Sequence, residues 1–314
     1  MSEITNTQLL FLDNLIYLDL YKHENEALKD TIEKIIDNID KYIPDENNPP
    51  ASMTKSQWVE LLKSFLNNKE NEAFLNDYTI QNYETNDSDE NGLRACCFVK
   101  ENNEEIEDVV AVFRGTAGVN EWKDDLMMAN AVSSEIMDDA AIYIKNLPKE
   151  YGDSITVTGH SKGGNKAQYV TIVTDRIGRC VSFDGQGFSK EFLEFYYLRI
   201  EERKSIITSI SAEYDFVNSL LFPIAGDIKY IKAELDKNYK LNHCPNKVFN
   251  SNGELNEEVE QPAFLSRLIS HLTKYSSATI SDSTLNAILE IISECVVVPT
   301  FLSESNKLCS LYIN

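Results

Sequence analysis

Three observations predict that the chain folds as an α/β protein, with a mostly parallel central sheet and added helices at both ends. Short β-branched or apolar runs alternate with helix-patterned segments through residues 95–231, the pattern of parallel strands joined by crossover helices. The segments before and after that region show helical periodicity only. In the middle, the apolar run Ile155-Thr-Val-Thr passes through Gly159-His160-Ser161-Lys162-Gly163-Gly164 into a helical pattern.

The elements follow in order. Residues 6–42 read as two helices, with Leu9, Leu10, Leu12, Leu15, Ile16 and Leu18 in the first and Leu28, Ile32, Ile35, Ile36 and Ile39 in the second. Asn-Asn-Pro-Pro ends that pattern at Pro50, and a third helix is expected over 56–67, with Trp58, Leu61, Leu62 and Phe65 on one face. An acidic, Asn-rich loop is expected over 82–92. Strands are then expected over 95–99, 109–113, 155–158, 180–183, 206–210 and 228–231. Helices are expected over 120–130, 135–147, 162–177 and 190–202, with two more over 262–275 and 283–295. The sequence shows no internal repeat. The simplest division is an α/β domain over 1–260, with a helical N-terminal segment 1–80, and a helical C-terminal extension over 261–314.

Composition narrows the function classes. Asp and Glu number 51 against 29 Lys and Arg, a net charge of −22. That charge repels nucleic-acid phosphates, so no nucleic-acid partner is expected. The six cysteines, at 96, 97, 180, 244, 295 and 309, form no CxxC pair; they read as packed thiols, and neither metal nor cofactor is expected. The N-terminal residues lack the basic and apolar regions of a signal peptide, and no apolar run reaches the roughly 18 residues of a membrane span. The expected location is cytoplasmic by default, with signal-independent secretion the alternative.

The chemistry concentrates at Gly159-His-Ser-Lys-Gly163. A GxSxG motif between strand and helix is a nucleophile elbow, a sharp turn that lifts the serine hydroxyl above the sheet while the helix N-terminus faces the reacting atom. Ser161 is therefore the expected nucleophile. A serine needs a base, and the base needs an orienting carboxylate; in this architecture both come later in the chain. Of the four histidines, His23 precedes the elbow and His160 lies within it, with its side chain directed away from the Ser161 hydroxyl. His243, in the loop-like Leu241-Asn-His-Cys-Pro, is favoured as a mobile, exposed imidazole over His271, which lies on a helix face. Asp215, just past the strand 206–210, is the favoured acid because catalytic groups collect at the C-terminal edge of parallel strands. Glu213 and Asp184 are its rivals. Two backbone N–H groups are needed for an oxyanion; Lys162, following the nucleophile, and Thr116, in the turn Arg114-Gly-Thr-Ala-Gly, are the candidates. Arg114 reads as structural, paired with an acid such as Asp125.

These segments resemble the class 3 lipases of the α/β-hydrolase superfamily, specifically a bacterial lipase-like branch. The matching pieces are Leu9-Leu-Phe-Leu-Asp-Asn-Leu-Ile-Tyr-Leu-Asp, Val-Phe-Arg114-Gly-Thr, Glu-Trp122-Lys-Asp-Asp125-Leu, the elbow and Val-Ser-Phe-Asp184-Gly-Gln-Gly-Phe. Further along, Asp215-Phe-Val-Asn and the segment from His243 to Leu255 also match. The resemblance implies a Ser161–Asp215–His243 triad, an oxyanion site at Thr116 and Lys162, and a lid-like cover near 120–130. Lys162 departs from the leucine common after the nucleophile, and the 28-residue step from Asp215 to His243 is short beside secreted lipases. The implied activity is hydrolysis of carboxylic esters, lipid esters foremost, which is compatible with transient membrane contact. The alternatives are a catalytically silent lipase-fold binding or effector protein, and an esterase or thioesterase acting on non-lipid acyl substrates.

Overall fold

In the computed structural model, residues 3–85, 92–115 and 134–276 are described. The expected helices over 120–130 and 283–295 lie outside them, as do Thr116 and Asp125. Among the described residues, eight strands form one sheet in sequential order: β1 Tyr78–Thr85, β2 Arg94–Asn102, β3 Glu105–Phe113, β4 Ile155–His160, β5 Ile177–Phe183, β6 Ile207–Ala212, β7 Asp227–Ile231 and β8 Glu258–Val259. The five strands β3 to β7 run parallel, and β1, β2 and β8 pair antiparallel at the two edges. This is the expected α/β arrangement, a mostly parallel central sheet with added helices.

Every expected strand is present, and two more flank them. The short β8 carries too few residues to show a period, and β1 (Tyr-Thr-Ile-Gln-Asn-Tyr-Glu-Thr) is polar because it lies at an edge. β1 also begins four residues before the loop expected from position 82. β2 and β3 are longer than their apolar cores: Asn103 and Glu104 adopt φ of 51° and 68°, the two-residue hairpin turn whose twist matches that of the strands. The expected helix over 190–202 is two, Lys190–Phe195 and Tyr197–Arg203.

The sequential order decides how the sheet is covered. Right-handed crossovers that all step in one direction put their helices on one face. The helices α6 Glu135–Asn146, α7 Lys162–Val173, α8 Lys190–Phe195 and α9 Tyr197–Arg203 supply the crossovers. Ile144, Val170, Phe192 and Ile200 from these helices share one buried cluster with Ala95, Cys97, Ala111, Phe113, Ile155 and Val157 of the sheet. The opposite face, bearing Cys96, Phe98, Val110, Val112, Val181 and Phe183, is covered by the N-terminal segment. That segment contains α1 Asn6–Leu15, α2 Leu28–Asp37, α3 Ile39–Tyr42, α4 Lys55–Asn67 and α5 Glu72–Asp77. The polarity of alternate β-strand residues, period two, sorts the sheet's side chains between these two covers.

The N-terminal segment is therefore a structural layer and not an appendage. α1 starts at a capping box, Thr5 with Gln8, and runs against β3, β4 and β5. Phe11 stacks on Phe65 of α4 with ring centroids 3.7 Å apart. At the other end, the helix α10 Phe264–Ser276 leaves β8 through a bond from the Ala263 N–H to the Glu213 carbonyl at 2.8 Å.

If this layer is half of one core, Phe11→Ala removes a fully buried ring and lowers the unfolding free energy of the whole chain by about 3–5 kcal/mol. Denaturant unfolding followed by both far-ultraviolet circular dichroism and tryptophan fluorescence checks this. A near-neutral effect would show the N-terminal layer to be peripheral.

Candidate active site

β4 hands the chain to α7 at Ser161. That residue adopts φ 60° and ψ −129°, a backbone conformation that only surrounding structure can hold in a residue with a side chain. Its N–H donates to the Phe183 carbonyl at 2.9 Å, and its own carbonyl accepts from the Asn165 N–H at 3.1 Å. The glycines of the motif are steric necessities. A Cβ on Gly159 would fall 2.3 Å from the Gly163 backbone, and one on Gly163 would fall 2.0 Å from the Phe113 carbonyl oxygen. Strand and helix thus pack backbone against backbone, and Ser161 is left at the sheet's C-terminal edge.

Lys162 is the first residue of α7, so its backbone N–H is among the four that an α-helix leaves without an internal partner. The turn after β3 lies against the elbow: a Cβ on Gly115 would meet the His160 carbonyl at 2.6 Å and the Ser161 Cβ at 3.1 Å. Thr116 follows immediately and lies outside the described residues. Arg114 is buried, and its carbonyl accepts from Lys166 Nζ at 3.0 Å; the expected partner Asp125 lies outside the described residues.

His243 and Asp215 come together. The His243 Nδ1–Asp215 Oδ1 separation is 2.6 Å, and the second Asp215 oxygen accepts from the Asn218 N–H at 2.8 Å. The expected mobile, exposed loop is corrected here: His243 ends a short 3₁₀ helix, Tyr239–His243, and is only 6% exposed. Its ring is packed by His160 and Phe216, which hold it in place. The rivals go elsewhere. Glu213 accepts from the Ala233 N–H. His23 bridges Glu26 and Tyr42 in the N-terminal layer. His271 is exposed on α10, in the wall of a cleft of about 410 Å³ shared with Arg267, Lys274, Gln186 and Asn218.

Two residues join the group that the sequence does not single out as partners. Alternation along β4 turns Thr158 and His160 toward the N-terminal layer. There Thr158 Oγ1 donates to Asp13 of α1 at 2.9 Å, and His160 Nδ1 is 2.9 Å from the Tyr17 hydroxyl. The His160 and His243 rings lie 4.7 Å apart between centroids. The His243 ring thus packs against the side chain of the residue that precedes Ser161. Asp184, the other rival acid, sits behind the pair: it adopts φ 49°, accepts from the Ala212 N–H at 2.8 Å and approaches His160 Nε2 at 3.7 Å.

Burial dominates the electrostatics. It lowers the His160 pKa well below the usual imidazole value, with the neighbouring His243 adding to the effect. It also pushes His243 down, to about 3. Burial raises Asp215 to about 7 against the opposing N–H groups of Asn218, Val217 and Phe216. Asp184 rises well above the carboxylate range through burial and the Asp215 charge. Burial thus disfavours the charged form of both imidazoles, and in the uncharged form one ring nitrogen can take a proton.

Residues 71–223, just under half of the chain and spanning the elbow, match the model of the Mbeg1-like family. No curated protein shows significant sequence similarity to the chain. Among solved structures, the crystal structure of M37 lipase is similar at 14% identity over 69% of this chain and 70% of that one, with a TM-score of 0.39.

The tightness of the elbow sets a test. Gly163→Ala forces the Phe113 carbonyl and α7 apart, and the unfolding free energy should fall by about 1–3 kcal/mol or more. Chemical denaturation of the variant measures it, and an unchanged midpoint would mean that the strand–helix approach is looser than described.

Proposed function

We propose that the protein is a serine hydrolase of carboxylic esters, lipid esters foremost, with Ser161 as nucleophile, His243 as general base and Asp215 as the acid that orients it. One combined observation carries this reading: a serine held at φ 60° between strand and helix, and a buried imidazole that packs on the residue preceding that serine and has its Nδ1 bonded to a buried carboxylate. Nothing in simple packing requires that set. A strained turn and two buried titratable groups are each costly, and such costs gather at functional sites.

In the proposed cycle, Ser161 Oγ attacks the ester carbonyl as its proton passes to His243 Nε2. Asp215 accepts the hydrogen bond from Nδ1–H and so fixes the tautomer that leaves Nε2 basic. The tetrahedral oxyanion is met by the Lys162 N–H at the start of α7 and by Thr116. His243 then returns the proton to the leaving alkoxide, giving alcohol and an acyl-enzyme. Water, deprotonated by the same histidine, releases the acid and restores Ser161. None of these steps draws on a cofactor. The Mbeg1-like match over the elbow supports the lipase-like reading, and the −22 charge argues against a nucleic-acid substrate.

Hydrolysis of p-nitrophenyl esters of graded chain length tests the proposal. Ser161→Ala and His243→Ala should each lower kcat by roughly 10⁴–10⁶-fold, and Asp215→Asn by about 10⁴-fold. His271→Ala, changed at an exposed position on α10, should leave activity intact. Absence of turnover by the wild type, together with failure of an organophosphonate to label Ser161, would refute the enzyme reading and favour a silent binding protein of the same fold. A preference for short or thioester substrates would move the substrate away from lipids.

A further inference from the structure

We propose that His160, Asp184 and His243 form a binding site for a divalent first-row cation, zinc above all, and that occupancy switches the hydrolase off. One ligand-type atom from each of the three buried residues lies within 4.8 Å of the others. His160 Nε2 makes no hydrogen bond of ordinary geometry among the described residues, although His160 is only 2% exposed. Its separation from Asp184 Oδ2, 3.7 Å, is too long for a hydrogen bond. It is close to the spacing of two donors that share one tetrahedral zinc, each about 2.0–2.2 Å from the metal.

The surroundings of the three residues match those of a metal site. Ligating histidines hold one ring nitrogen with an outer partner and offer the other to the metal. Here Nδ1 of His243 is held by Asp215 at 2.6 Å, and Nδ1 of His160 by the Tyr17 hydroxyl at 2.9 Å. With Nδ1 held in each ring, Nε2 is the nitrogen that would ligate a cation. Asp184 is likewise held, with its other oxygen on the Ala212 N–H. Two imidazoles and one carboxylate suit zinc and leave a fourth position open. Two carboxylates, Asp184 and Asp215 behind His243, can offset a dication once its binding displaces the protons they hold.

Occupancy would place the metal on the lone pair of His243 that the proposed cycle needs to accept the serine proton. The inhibition thus rests on the hydrolase reading; the binding does not. Tyr17 and Asp184 acquire a role through the metal that ester hydrolysis alone does not give them.

The test titrates the full-length, metal-free protein with cobalt(II), read by its visible absorption, and displaces it with zinc, read by calorimetry. One equivalent should bind with the spectrum of nitrogen and oxygen ligands. Ser161→Ala should bind equally well. His160→Ala should weaken binding by more than the roughly 10–100-fold typical of losing an outer partner. Asp184→Asn should do the same, and asparagine suits its left-handed backbone and keeps the bond from Ala212, so the fold is retained. Zinc should abolish ester hydrolysis in step with occupancy, and a chelator should restore it. No binding by the wild type, a thiolate-to-cobalt band, or unchanged affinity in Asp184→Asn would overturn the site. Normal metal binding by a wild type that hydrolyses no ester would sink the hydrolase reading and leave the site standing.

Discussion

The turn at Ser161 is the constraint on which the rest of the sheet's upper edge depends. A serine at φ 60°, ψ −129° costs of order 1–3 kcal/mol, and the fold must supply contacts that no other conformation makes. It does so from three directions: the Phe183 carbonyl of β5 takes the Ser161 N–H, α7 presses on β4 through paired glycines, and Gly115 closes in from β3. Each contact involves backbone, so each survives only if the three strands keep their mutual register. Ser161 is fixed by the sheet and not by its own side chain.

Register in turn depends on how the two faces are filled. With strands in sequential order, the crossover helices leave one face bare, and about 80 residues preceding the first sheet hairpin cover it. This explains why α1 is apolar on nearly all sides: it is enclosed by sheet and by the other N-terminal helices, and even Asp13 and Asn14 are fully buried in it. Burial raises the Asp13 pKa well above the usual value, with the Thr158 hydroxyl opposing. The bond between Asp13 and Thr158 therefore ties the N-terminal layer to β4 three residues before Ser161, which couples the layer's packing to the elbow's position.

Much of this was legible in residue patterns. The elbow declares itself because its glycines, its serine and the flanking strand and helix are all local in sequence. Asp215 and His243 could be selected by chain order and by the position of Asp215 past a strand, both consequences of parallel-sheet topology. What patterns did not show is contact across long separations. Tyr17 meets His160 over 143 residues, and no periodicity in either segment encodes that pairing. The burial of His243 was misread for a related reason: Leu-Asn-His-Cys-Pro is locally loop-like, yet the 3₁₀ turn is packed by Phe216 and His160 from other elements. A usable signal was present in β4, where period-two alternation sends His160 to the N-terminal layer and so demands a polar partner there.

That last residue shows how local rules and chemistry divide the work. Position 160 must face the N-terminal layer whatever occupies it, because Ile155 and Val157 fix the alternation. An apolar side chain would fill the space without the penalty of burying an imidazole, and hydrogen bonding to Tyr17 recovers only part of that penalty, since a typical bond contributes about 1 kcal/mol. The imidazole also packs the His243 ring at 4.7 Å and faces the Asp184 carboxylate. A sequence that keeps a polar ring where packing asks for an apolar one violates the rule that buried positions favour apolar groups, and violations of that kind collect where function is built. The chemistry of position 160 is therefore to be sought on its Nε2 side, toward Asp184 and His243, and not in the core that its backbone obliges it to join.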